Sequence, residues 1–138
     1  HKPYFRQMKK LHNSLKRVNP KLSGISHHML FDKKYIKNLF DMVKEKHNEE
    51  FYISFLKCIE PKWRKGSGAS EYEIYFNYML IYNPEIITIR QLKNYNCQDK
   101  KMKLEDNFIE IYDNLSFHWY ARDNNIEKIK LLDTIKFN

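Results

Sequence analysis

Glycine and cysteine are both scarce in this chain, which has three glycines and two cysteines in 138 residues. Neither Gly-x4-Gly-Lys-Ser/Thr nor Gly-x-Gly-x-x-Gly occurs, so the two common phosphate-cradling loops are excluded. Cys58 and Cys97 lie far apart without metal-ligand spacing, which removes Cys-x-x-Cys chemistry. A reducing compartment is expected, with one Cys58–Cys97 disulfide as the alternative. No apolar run reaches the ~20 residues of a membrane span. His1 and Lys2 lead into no apolar signal core. A soluble, cytoplasmic protein is the expectation. Neither a Ser-His-Asp order nor His-Glu-x-x-His is present, so a protease or zinc-hydrolase reading finds no support.

What is present is apolar and aromatic. Hydrophobic residues make up 42% and aromatic residues 15%, enough for a packed core. Residues 1–138 are expected to form a single domain or part of one. The first residue is not Met, so more chain is expected upstream. The formal charge of +8 suits nucleic acid, anionic membrane or phosphorylated substrates. That signal is discounted. The joint richness in Lys, Asn, Ile and Tyr fits an A+T-rich coding bias, and lysine prevails over the arginine that specific phosphate clamps favour.

The sequence is organised around a small-residue loop, Gly66-Ser67-Gly68-Ala69, that runs into Ser70-Glu71-Tyr72-Glu73 and then an apolar stretch. Ser70 and Glu73 have the Ser-x-x-Glu spacing of a capping box. Ile74, Tyr75, Phe76, Tyr78, Met79, Leu80 and Ile81 then fall on every side of a helix, the mark of a buried one. Asn83-Pro84 stops it. Glu71 lies in the first turn, where the helix dipole favours the ionised carboxylate, which suits a base. Its structural alternative is a surface acid, and that of Glu73 is a simple cap.

Before this centre, residues 4–18 read as an amphipathic helix on Phe5, Met8, Leu11, Leu15 and Val18. Residues 25–31 read as a short extended segment in which His27 and His28 point to opposite sides. Residues 33–47, capped by Asp32, and 49–59 read as a packed helix pair ended by Pro61. Lys62, Trp63, Arg64 and Lys65 set cations beside an aromatic, a pattern that fits a sugar or phosphate contact as well as a solvated loop. Downstream, 85–92 reads as a β-branched strand and 93–103 as a polar loop. Residues 104–112 are ambiguous. Residues 115–120 alternate as a strand with His118 on its polar face, and 123–137 read as a last helix. The fold class expected is helix-rich α/β with a few short strands.

Two segments go further. Ser23-Gly24-Ile25-Ser26-His27-His28-Met29-Leu30-Phe31-Asp32 and Ser70-Glu71-Tyr72-Glu73-Ile74-Tyr75-Phe76-Asn77-Tyr78 resemble a little-characterised family of glycosyltransferase-like proteins of bacteria and large viruses. Ser116-Phe117-His118 is similar to that family's last strand, and the resemblance covers about residues 4–122. It implies the acceptor-side, C-terminal half of a GT-A-like nucleotide-sugar-binding fold. Such folds hold Mn²⁺ or Mg²⁺ with Asp-x-Asp. This chain has no Asp-x-Asp, so the donor-binding half is expected upstream of His1.

The resemblance implies a nucleotide-sugar donor, a glycan acceptor and a role for each candidate. Glu71 is the general base that deprotonates the acceptor hydroxyl. His118 completes the metal site or contacts the diphosphate. Arg122 and Lys65 offset the leaving diphosphate. His27 or His28, with Tyr72, shapes the acceptor pocket, and Ser70 and Glu73 are expected to bind substrate there. The competing expectation is a non-catalytic basic module for nucleic acid or another polyanion. Against it, the aromatics cluster in apolar runs instead of interleaving with Lys and Arg. A third is a purely structural interaction fragment.

Overall fold

The computed structural model describes residues 2–26, 28–96 and 111–116. The chain divides into two compact units, His1–Thr88 and Ile89–Asn138. The first is helical. α1 is Pro3–Leu11, α2 Lys33–His47, α3 Phe51–Lys57 and α4 Glu71–Tyr82. The described part of the second holds two short strands, β1 (Asn94–Asn96) and β2 (Asn114–Ser116). The described chain is therefore helix-rich.

Pro3 begins α1, where its fixed φ suits a helix and its missing N–H costs nothing. Tyr4, Gln7, Met8 and Leu11 form the buried stripe. The helix expected over 4–18 stops at Leu11 for a local reason. The Ser14 amide and hydroxyl both bond the His12 ring Nδ1, at 3.3 and 2.6 Å, and offer the backbone an alternative to helix. Leu15 still reaches the core from outside the helix and is fully buried.

α2 has the expected bounds. Its cap Asp32 accepts from the Lys34 amide at 2.8 Å, and the left-handed Asn48, at φ 54°, ends it. α3 follows directly. The Phe40 and Phe51 rings stack across the α2–α3 contact at 4.0 Å. α3 is shorter than the 49–59 expected. Its C-terminus tightens, with the Ile59 amide bonding Leu56 O, before Pro61 opens a 3-10 turn over Pro61–Trp63. Cys58 sits in the core, and burial pushes its thiol pKa up despite nearby Lys46 and Lys10.

α4 begins where expected. The Ser70 hydroxyl accepts from the Glu73 amide at 3.3 Å. Glu73, Ile74, Tyr75, Asn77, Tyr78 and Met79 are buried, while Tyr72, Phe76 and Leu80 leave one side of the helix partly exposed. Met8, Leu11, Leu15, Leu39, Val43, Ile74 and Met79 make up much of the core around it.

The strand expected over 85–92 is not formed. Pro84–Ile86 is a 3-10 turn, the Ile86 amide bonds Asn83 O, and 87–93 is irregular. β-branched residues suit a pleated, half-buried surface but do not create the neighbour a strand needs. Ile87 instead packs against the helical core. The polar loop expected over 93–103 contains β1. It pairs in parallel with β2, Asn94 opposite Asn114 and Asn96 opposite Ser116. Asp113 fixes this register: its amide bonds Lys93 O and its carboxylate takes the Lys93 amide, each at 2.9 Å. The strand expected over 115–120 thus starts at Asn114. Residues 117–120, the helix expected over 123–137 and most of 104–112 lie outside the described residues.

Candidate functional site

The irregular chain between α1 and α2 is a strap laid along α4. It runs antiparallel to the helix and touches it at successive turns. Tyr82, the last residue of α4, donates its hydroxyl to Ser14 Oγ at 2.6 Å. The Val18 amide donates to Asn77 Oδ1 at 2.8 Å. The Ser23 hydroxyl donates to a Glu73 carboxylate oxygen at 2.6 Å. At Gly24 the strap meets the helix backbone itself. A Cβ there would lie 2.5 Å from Phe76 Cβ and 2.6 Å from Tyr72 O, so only glycine allows the approach. The strap then crosses the N-terminal end of α4. The Phe31 ring packs on Tyr72 and Tyr75 at 5.3 and 4.9 Å, and the Asp32 amide donates to the Tyr75 hydroxyl at 3.1 Å.

Ser23–Asp32 and Ser70–Tyr78, the two segments singled out in the sequence, therefore pack on each other. Within them the carboxylates separate. Glu71, the first residue of α4, is exposed. Glu73 is 1% exposed, and its second oxygen accepts from Asn77 Nδ2 at 3.1 Å. The reciprocal half of the capping box is replaced by these interior bonds. Glu73 and Ser70, expected to bind substrate, lie inside the fold. Both are buried, and their polar atoms are spent on the strap and the helix start.

Tyr72 is half-buried beside Phe31, and His28 is exposed, its amide held by Ser26 Oγ at 3.1 Å. Lys65 is exposed on the loop before α4. That loop is folded tightly: the Gly66 amide bonds Trp63 O, and a Cβ on Gly68 would lie 2.6 Å from the same oxygen. Trp63 is half-exposed with Lys62 5.9 Å from its ring centre. His27, His118 and Arg122 lie outside the described residues.

An open depression of about 410 Å³ is lined by Leu56, Lys57, Ile59 and Arg64, and no expected site residue borders it. Among the described residues no three His, Cys, Asp or Glu side chains gather to hold a metal ion. Many described cations serve local pairs. Arg6, Lys10 and Lys62 converge on Glu60 at 3.4, 3.4 and 3.8 Å, and Lys57 pairs with Glu49 at 2.6 Å. No helix among the described residues is long and apolar enough to cross a membrane.

The sequence reading missed Ser23, Asn77 and the His12–Ser14–Tyr82 group. Asn77 had a signal. It is an amide one turn beyond Glu73 on a helix apolar all round, and a buried amide requires partners. Compared with family models, with curated proteins and with solved structures, the chain finds no match.

Proposed function

We propose that this chain is the acceptor-side portion of a GT-A-like glycosyltransferase, which moves a sugar from a nucleotide-sugar donor to a hydroxyl of a glycan acceptor. One observation carries the reading. The two segments that bear the family resemblance pack together at the N-terminal end of α4.

In this reading Glu71 is the general base. It stands exposed in the first turn of α4, where the helix dipole favours a carboxylate. It takes the acceptor's hydroxyl proton as the acceptor oxygen bonds the anomeric carbon and the nucleoside diphosphate leaves. Tyr72 and His28 flank the acceptor, and Lys65 offers charge to the diphosphate. The roles proposed for His27 toward the acceptor, Arg122 toward the diphosphate and His118 toward Mn²⁺ or Mg²⁺ rest on the resemblance alone, since all three lie outside the described residues. The described residues alone do not make a cation site, so no step here is routed through the metal. Glu73 and Ser70 support the site from within.

The test is calorimetric titration of the full-length protein with nucleoside-diphosphate sugars, with and without Mn²⁺, followed by nucleoside-diphosphate release with glycan acceptors. Glu71→Gln is expected to lower release about 10²–10⁴-fold with donor binding intact. No donor binding, or full activity in Glu71→Gln, overturns the reading.

A further inference from the structure

The strap's first anchor has a directional chemistry that the proposed function does not use. A backbone N–H can only donate. The Ser14 amide points at His12 Nδ1, so that nitrogen is an acceptor and the ring's proton sits on Nε2. The Ser14 hydroxyl, 2.6 Å from the same nitrogen, then donates to it as well. Its oxygen is left to accept from Tyr82. All three bonds are satisfied together only when the imidazole is neutral.

We propose that the His12–Ser14–Tyr82 chain is a pH-sensitive latch, which fastens the strap to the C-terminal end of α4 while His12 is neutral and loosens it when His12 gains a second proton. Protonation at Nδ1 sets two N–H groups against each other and forces the Ser14 hydroxyl to give up its donor role. The surroundings add to the effect. From α2, Lys46 and His47 disfavour a charged His12 ring and Glu45 favours one. Lys46 is fixed there by bonds to Lys10 O and Asn13 Oδ1, and His47 by one to Leu11 O at 2.8 Å. From α4 only the Tyr82 hydroxyl reaches the group.

Burial first, then Lys46 and His47, lower the His12 pKa from its ordinary 6.5. Across the interval between the lowered value and 6.5 the released ring binds more protons than the latched one. The latch is thus complete above pH 6.5 and weakens as pH falls through that interval. Opening grows by up to about tenfold per pH unit there. Loosening at Ser14 frees the neighbouring Val18–Asn77 bond, and with it the root of the segment that ends at Asp32.

The experiment is amide hydrogen exchange of the full chain, read at Val18 at pH 7.5 and 5.5 and corrected for intrinsic exchange. In the unaltered protein, protection at Val18 is expected to fall by up to about tenfold at the lower pH. In His12→Asn, whose amide oxygen can replace Nδ1 as acceptor but cannot be protonated near neutrality, it is expected to stay level. An equal fall in His12→Asn overturns the proposal, as does no fall in the unaltered protein. Direct titration of the His12 ring by NMR needs no variant. A pKa below 6.5 supports the latch, and one at or above 6.5 overturns it.

Discussion

The Ser23 hydroxyl donates to the Glu73 carboxylate at 2.6 Å and joins residues 50 positions apart. Glu73 is 1% exposed, and no cation among the described residues pairs with it. Its charge is met by neutral donors and by its place in the first turn of α4. Two positions away, Glu71 faces water. A pair that is close in sequence and alike in chemistry is thus split between an interior fastening and a surface group.

Ser23→Ala removes one of the donors that hold this buried carboxylate, and is expected to destabilise the fold by about 1–3 kcal/mol. Glu71→Gln forfeits only a surface interaction with the helix dipole, about 0.3–1 kcal/mol. Urea unfolding of both variants makes the comparison, with midpoints shifting at constant slope. Equal losses would mean that water reaches Glu73 in solution.

The glycines give a second contrast. Gly24 carries the strap against α4, with Phe76 Cβ and Tyr72 O closer than 3 Å to where a Cβ would stand. Because Tyr72 O belongs to the helix backbone, it cannot swing aside. Gly24→Ala is expected to cost about 1–3 kcal/mol by overpacking. Nothing lies within 4 Å of a Cβ built on Gly66, and its φ is not positive. Gly66→Ala is therefore expected to stabilise by about 0.4–1 kcal/mol through the unfolded chain. Thermal midpoints moving in opposite directions confirm the assignment. A harmless Gly24→Ala would show that the strap does not lie on α4.

What was legible in the sequence was local. Ser70, Asp32 and Asn83-Pro84 act within a few residues, so the starts of α4 and α2 and the end of α4 could be placed. The strap could not, because its bonds join residues 50, 59 and 68 positions apart. Periodicity also misled where the core recruits residues from outside a helix. Leu15 continues the apolar spacing of α1 yet is buried from irregular chain. Asn94–Asn96 shows the opposite failure, a strand in which two of three residues are asparagines of poor strand preference, held by pairing with Asn114–Ser116. Glu73 was read for its cap spacing, and only Ser23 and Asn77, supplied by the fold, reveal its second use.

Asn77 is where the strap and the buried carboxylate meet. Its Oδ1 accepts from the Val18 amide, and its Nδ2 donates to both Glu73 O and Glu73 Oε2. Each donor and acceptor is therefore matched, and the residue is 1% exposed. Asn77→Asp keeps the shape but replaces a donor with a second carboxyl facing Glu73. With no cation to pair it, the introduced acid is stabler protonated in the fold than in the unfolded chain, where it titrates near 3.9. The native state then binds more protons above that value, so stability falls as pH rises. Asn77→Asp is expected to lose about 3–5 kcal/mol at pH 7, as for a buried charge deprived of its partner, and to recover part of this at pH 5. Asn77→Ala removes the acceptor of the Val18 amide and one donor to Glu73 Oε2 but adds no second acid, so its loss is expected to recover less on acidification. Parallel urea titrations at the two pH values separate the variants. If Asn77→Asp loses the same amount at both, residue 77 is open to water and the strap is not sealed against α4.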